Sequence, residues 1–383
     1  MENSRCSTSE SVISQTFQSR HISSLSPFQC IRLLYDTFIR YLIKDWHGRK
    51  YIFFAALLLL LTVLSTTFYY LNYPHVELNP DTPAYLHVVQ RIQTHPYLLV
   101  DTWRLPVYPL LIILTYAFTG QGNFTAVSIV QAGLFVITTL EIYCIAFLLL
   151  RRAWLAFLIG LLVGTNIVML SYIKPIMSEG LAMCLLTTLV LAILYFLRTL
   201  RVRHFWLVVL CYLPLLFTRP EWEYLPVLLF AYLLLVAIRR GVWRHLLRHM
   251  VLALVLIYAL VGIYIGVNTF TNHYPGFTAI ENFNWLGKVL QYHMWNEASP
   301  QYAQDSKQLS ICVAHIDTDP YHVLPCVPSL SRNDNARAGA FARNIILHHP
   351  VEFFLKSAQT FFPSLTTFCA NYPSKSPGNY EWA

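Results

Sequence analysis

The sequence is short of charge: Asp, Glu, Lys and Arg make up 12% of its 383 residues, about half the share of an ordinary soluble domain. Its basic excess, 27 Lys+Arg against 19 Asp+Glu for a net charge of +8, reflects scarce acids. It lacks the long basic run or RNA-binding signature of a nucleic-acid-binding protein. The eight cysteines, at 6, 30, 144, 184, 211, 312, 326 and 369, include no CxxC pair and no Cys/His spacing suited to zinc, which argues against a structural zinc or a redox dithiol. No G-x-S-x-G, H-E-x-x-H or Ser/His/Asp arrangement supports a hydrolase. The first 50 residues, Ser-rich over 1–26, have no apolar core of the kind a cleaved secretory signal needs. Residues 1–50 are therefore expected to be a flexible cytoplasmic tail, and the first hydrophobic segment a retained anchor.

What is abundant is apolar surface, 56% hydrophobic and 15% aromatic residues. Apolar stretches fall at 51–71, 124–150 (interrupted only by Glu141), 153–173, 180–197, 204–218, 224–238 and 249–272. Most have the ~20 residues that cross ~30 Å of hydrocarbon, so seven spans are expected, in an all-α polytopic membrane protein. A shorter stretch, Val107 to Phe118, begins beside Pro106 and Pro109 and suits a re-entrant or interfacial helix in the first outer loop. Arginine placement agrees, because short cytoplasmic loops collect Lys and Arg. With the N-terminus inside and 107–118 not crossing, the inner side receives Arg49 and Lys50, Arg151 and Arg152, Arg198, Arg201 and Arg203, then Arg239, Arg240, Arg244 and Arg248. The first loop, 72–122, the turns 174–179 and 219–223, and everything from 273 onward then face out. A membrane domain over 51–272 is thus followed by an outward C-terminal region, 273–383, with an interfacial amphipathic helix expected over 351–370. Within that region Cys312 and Cys326 stand fourteen apart, a pair read equally as a disulfide or as two free thiols.

The informative residues are ionisable groups that lipid disfavours unless they face protein or a wet cleft. The segments 204–218 and 224–238 are each about five residues short of a full crossing. Their junction, Thr218-Arg219-Pro220-Glu221-Trp222-Glu223, is expected to dip below the outer surface. The turn Ser171 to Glu179, with Lys174, has the same character. The first outer loop adds Asn79-Pro80-Asp81-Thr82-Pro83-Ala84-Tyr85, in which Asp81 stands where a helix N-cap belongs. It also adds Asp101 and Arg104 at the mouth of the short helix, read either as an interfacial salt bridge or as a substrate contact. Glu141 is read either as a cleft residue or as one facing protein on a tilted helix. The sequon Asn123-Phe124-Thr125 lies against a span and is expected to be inert.

These motifs, taken in order, resemble the GT-C superfamily of membrane glycosyltransferases, in particular the protein O-mannosyltransferase and aminoarabinose-transferase-like branch. The resemblance covers about residues 50–240 and rests on an Asp-Thr-x-x-Tyr helix start (Asp81 to Tyr85), an Arg-x-Pro-x-Tyr-Pro entry (Arg104 to Pro109), a Ser-Glu turn (Ser178, Glu179) and an Arg-Pro-Glu turn (Arg219 to Glu221). It implies transfer of a sugar from a polyprenyl-phosphate carrier to a lipid, glycan or protein acceptor on the outer or lumenal face. Asp81 would be the catalytic base. Arg219, Lys174 and Arg104 would hold the departing phosphate, with Tyr85 and Asp101 also at the substrate. Glu179 and Glu221 would orient those cations, bind sugar hydroxyls, or hold a divalent ion such as Mg or Mn, although the chemistry requires no metal. Family members have more spans beyond the equivalent of residue 270, so a scaffold or lipid-binding subunit that lost its activity is the main alternative. A transporter is the lesser one, since no internal repeat is visible. The expected location is a bacterial plasma membrane or a eukaryotic endoplasmic reticulum.

Overall fold

The computed structural model describes residues 49–76, 78, 79, 81–95 and 99–366, without the side chains of 49, 332–334 and 361–366. Of the tail expected over residues 1–50, 1–48 lie outside the described residues and Arg49 and Lys50 open the first helix; 367–370 of the expected interfacial helix also lie outside the described residues. The chain divides into two units, Met1–Leu57 and Leu58–Ala383. Apart from the opening turns of the first helix, everything below belongs to the second.

All the described regular structure is helical. Helix α1, Arg49–Asn72, is apolar around its whole circumference and leaves Leu60, Leu64, Phe68 and Leu71 exposed, as a helix does whose solvent is lipid. After it come α2 (Thr82–Thr94), α3 (Val107–Thr119) and α4 (Phe124–Leu150). The side chain of Asn123 caps α4 by accepting from the Ala126 amide at 3.0 Å. The apolar run 153–173 is not one helix. It forms α5 (Ala153–Gly164) and α6 (Ile167–Ile173), bent by 54°. The break has a local cause: Asn166 is extended, and its side chain accepts from the Met169 amide at 3.2 Å, so the chain restarts a helix instead of continuing one. Next come α7 (Glu179–Thr199), α8 (Val202–Leu216), a 3₁₀ turn (Pro220–Tyr224), α9 (Leu225–Arg239) and α10 (Trp243–Asn272).

Five stretches, α1, α4, α7, Pro220–Arg239 and α10, are long and apolar enough to cross a membrane, and the bent pair α5 and α6 makes a sixth if it is one broken span. By length and composition that is five or six of the seven stretches expected. The remaining one is α8, whose 15 residues reach about 22 Å, less than ~30 Å of hydrocarbon, although the Arg219–Glu179 pair at 2.7 Å brings its far end back beside the start of α7. It contains Pro214 and stops ahead of the polar Thr218-Arg219-Pro220 step.

Besides a small cluster of Tyr69, Phe135, Leu170 and Ile173, three larger apolar clusters organise the described residues. The largest binds α7, α8, α9 and α10 through residues such as Phe196, Phe205, Tyr212, Leu233 and Ile257. A second fastens α2 and α3 to α4 and to the turn before α7, through Tyr85, Tyr108, Ile112, Val127 and Ile176. A third lies wholly in the C-terminal region, among α11 (Ile280–Gln291), α12 (Ala303–His315), the 3₁₀ turn Leu324–Cys326 and α13 (Pro328–His348). The Cys312–Cys326 disulfide is formed, with Cα atoms 6.1 Å apart. α14, Pro350–Thr366, is amphipathic. The C-terminal region is docked on the first loop: the Ala279 amide donates to the Thr102 carbonyl at 2.7 Å, and Phe277 packs edge-on to Tyr264 and Phe217.

Candidate functional site

The site is built where the start of α2, the entry to α3, the start of α7 and the turn after α8 meet. Thr82 anchors the first of these: its hydroxyl donates to the Ile176 carbonyl at 3.1 Å and accepts from the Asn79 amide at 2.9 Å. Asp81 has helical backbone angles, φ −79° and ψ −21°, and its side chain caps nothing. The N-cap option is thereby removed, and the carboxylate faces the site. Its Oδ1 lies 2.6 Å from Nη2 of Arg104 and accepts from the Tyr321 hydroxyl at 3.0 Å.

Arg104 reaches Asp81 because Asp101 shapes the turn behind it. Oδ1 of Asp101 accepts the amides of Trp103 and Arg104 at 2.8 and 3.0 Å, while Oδ2 pairs with Arg91 at 3.0 Å. The Asp101 carbonyl also accepts from the Tyr264 hydroxyl at 3.0 Å, tying the loop to α10. Asp101 therefore acts on the site through the backbone it holds. The Arg104 guanidinium stacks over the Tyr85 ring, 4.7 Å from its centroid, and its Nε is buried without a partner. Burial works against the charged guanidinium, but the Tyr85 and Asp81 oxygens outweigh it, so its proton is held more tightly than usual. The Tyr85 hydroxyl donates to the Ser178 hydroxyl at 2.9 Å. Burial pushes its titration up, with Arg104 opposing.

Ser178 leads to the second cation. Nη1 of Arg219 lies 2.7 Å from Glu179, and its Nε and Nη2 edge lies 3.4 and 3.2 Å from Glu221. Burial again works against the charge, and the two carboxylates more than compensate. Oε2 of Glu179 is buried and unpartnered. Asp81, Tyr85, Arg104, Glu179, Arg219 and Glu221 thus form one neighbourhood, in which Tyr85 feels both arginines and Glu179. Beside it, Glu281 of α11 has its carboxyl pushed up to about 7, by burial and by the neighbouring Glu223, with Arg343 opposing.

Lys174, expected at the site, and Glu141, read either as a cleft residue or as one facing protein, sit apart from this group. Lys174 is buried, with its ammonium 5.7 and 5.5 Å from the ring centroids of Tyr69 and Tyr73 at the end of α1. Glu141 faces protein and accepts from the hydroxyls of Thr187 and Thr188 on α7. Tyr321 is the member that sequence reasoning missed. It lies 240 residues from Asp81, on a one-turn helix, Pro320–Val323, capped by Asp319. Among the described residues no three His, Cys, Asp or Glu side chains converge on a point where a metal ion would sit. Between Glu179 and Glu221 the position is filled by the Arg219 guanidinium. No family model, curated protein or solved structure matches this chain.

Proposed function

We propose that the protein is an integral membrane glycosyltransferase of the GT-C kind, moving a sugar from a polyprenyl-phosphate carrier to an acceptor hydroxyl on the outer or lumenal face, with the N-terminus cytoplasmic. The observation that carries this reading is Asp81: a carboxylate released from capping, oriented by a buried arginine and already accepting a hydrogen bond from a hydroxyl at 3.0 Å. That is the geometry a general base needs. In the proposed reaction the acceptor oxygen attacks the anomeric carbon from the face opposite the phosphate and its proton passes to Asp81. The bond from carbon to phosphate oxygen breaks, and its electron pair leaves with the polyprenyl phosphate. Arg219 is suited to meet that phosphate. Its Nη1 is oriented by Glu179, while its other edge makes longer contacts to Glu221, whose side chain is 47% exposed and displaceable. No metal is required, because the leaving group is already a phosphate.

A second reading, an inactive scaffold subunit, draws on one feature of the same site. Three carboxylates, Asp81, Glu179 and Glu221, face two arginines, 104 and 219, so the resting cluster carries an excess negative charge that a phosphate would have to overcome. The two readings separate in membranes holding wild-type chain or Asp81→Asn at matched abundance, supplied with a panel of polyprenyl-phosphate sugars. Free polyprenyl phosphate released by wild type and abolished in Asp81→Asn supports the transferase. Silence across the panel from folded protein that binds the lipid favours the subunit.

A further inference from the structure

The loop between Cys312 and Cys326 is closed by a disulfide and pinned by buried side chains at its ends. Cys312 packs on one side, and Val323 and Leu324 turn into the C-terminal core on the other. Between these anchors the chain is exposed and held by its own short bonds. Asp319 accepts from the Tyr321 amide at 2.9 Å, and Asp317 accepts from the Asp319 amide at 2.8 Å and pairs with His322 at 2.7 Å. From this stretch Tyr321 reaches the site. Tyr321 is 51% exposed, yet its ring leans on Phe283 with centroids 4.3 Å apart, and its hydroxyl reaches Oδ1 of Asp81, the oxygen that also meets Arg104. Burial and the adjacent Asp81 push the phenol up to about 12, so near neutral pH it is a donor to the carboxylate and not a competitor for its charge.

We propose that the position held by the Tyr321 hydroxyl is the acceptor subsite: an alcohol acceptor enters under the Cys312–Cys326 loop, beside the Phe283 ring, and displaces the phenol from Asp81 before reacting. This rests on the assignment of Asp81 as the base. It adds that the base is kept occupied in the absence of acceptor, so that water is denied the same position and the donor is not hydrolysed. The C-terminal region thereby supplies a specificity-determining residue to a site otherwise built from the membrane domain. The ligand class follows from the contacts: a hydroxyl donor with an apolar or ring face to lie against Phe283.

Two measurements on the full-length chain test it. In the absence of acceptor, Tyr321→Phe keeps the ring and removes the hydroxyl. It is expected to raise hydrolytic release of polyprenyl phosphate about fivefold, roughly the worth of one hydrogen bond, whereas loss of a merely structural contact would not increase turnover. Independently of turnover, 3-fluorotyrosine placed at 321 reports its own environment by fluorine NMR. Benzyl alcohol as the probe is expected to move that resonance beyond the shift seen for free fluorotyrosine. A resonance that benzyl alcohol leaves in place overturns the inference, as does Asp81-dependent release that Tyr321→Phe leaves unchanged or lowers. If wild type turns over no donor while the resonance moves, the alcohol subsite stands and the transferase reading falls.

Discussion

The Asp81–Arg104 pair is open to a quantitative test that does not depend on any activity. With Nη2 and Oδ1 2.6 Å apart, the charge centres lie about 4 Å from one another, and their attraction is about 4 kcal/mol at an effective dielectric constant near 20. Two effects reduce it. The Arg104 side chain is only 12% exposed and has given up most of its hydration, while Asp81, at 31%, leaves one side of the pair open to screening. A coupling energy of about 1–2 kcal/mol remains. In Asp81→Asn the guanidinium keeps its place over the Tyr85 ring, a contact worth about 0.5–1 kcal/mol, so this variant is expected to fold. The assay is a double-mutant cycle of Asp81→Asn, Arg104→Gln and the pair, with unfolding free energies measured by steric trapping in bicelles. The double variant is expected to be no less stable than Arg104→Gln alone. Single effects that add to within about 0.3 kcal/mol would show that the two groups do not interact, and the orientation of Asp81 by Arg104 would have to be abandoned.

Three further outcomes follow from the same geometry. Glu221→Gln frees one edge of Arg219 and removes a carboxylate from a cluster with excess negative charge. Equilibrium binding of a polyprenyl phosphate should tighten about fivefold, or about 1 kcal/mol, and weaker binding would argue against Arg219 as the phosphate contact. The Glu281 carboxyl, raised from 4.5 to about 7, holds its proton more tightly in the folded chain. Its contribution is complete below pH 4.5 and lost as the pH climbs through about 7, a loss of at most about 3 kcal/mol. Wild type should therefore be more stable near about pH 5 than near about pH 8, and Glu281→Gln should flatten that difference; an equal slope in both refutes the assignment. A Cβ at Gly164 would meet Thr62 and Thr139 side chains, whereas Gly262 faces open space. Gly164→Val is expected to cost about 1–3 kcal/mol by overpacking and Gly262→Ala close to nothing, as read by thermal unfolding in detergent.

Helix positions were legible where composition alone decides them. Arg49–Asn72, Phe124–Leu150 and Glu179–Thr199 are apolar runs, the second interrupted only by Glu141, bounded by charge or a cap, and the short helix Val107–Thr119 begins at the prolines that announced it. The apolar stretches are less informative where a single polar residue acts on the backbone. Asn166 leaves 153–173 free of charge, yet its side chain takes the Met169 amide and breaks the segment. The Thr218-Arg219-Pro220 step follows the end of α8 at Leu216. A stretch free of charge marks what lipid tolerates; it is blind to hydrogen bonds that terminate a helix.

The site divides along the same line. Motif order brought out Asp81, Arg104, Glu179, Arg219 and Glu221, because groups that lipid excludes must collect where helices dip or begin. What each group does depended on contacts that local sequence does not encode. Asp81 has the sequence of an N-cap, but an N-cap needs an extended backbone, and its ψ of −21° turns the carboxylate away from the helix amides. Asp101 and Arg104 look alike as exposed loop charges, yet the first is spent on the Trp103 and Arg104 amides and only the second reaches the cluster. Lys174 stands five residues before Glu179 and still lies beside Tyr69 and Tyr73, at and just past the end of α1. Tyr321 is the extreme case. Nothing in Asp319-Pro320-Tyr321 beyond a capped turn marks it, and it meets Asp81 across 240 residues, from a loop closed by the disulfide in a region bonded to the first loop through Ala279 and Thr102. The Asp81 carboxylate is thus signalled by its own neighbourhood, whereas the group that meets it is chosen by the fold at long range.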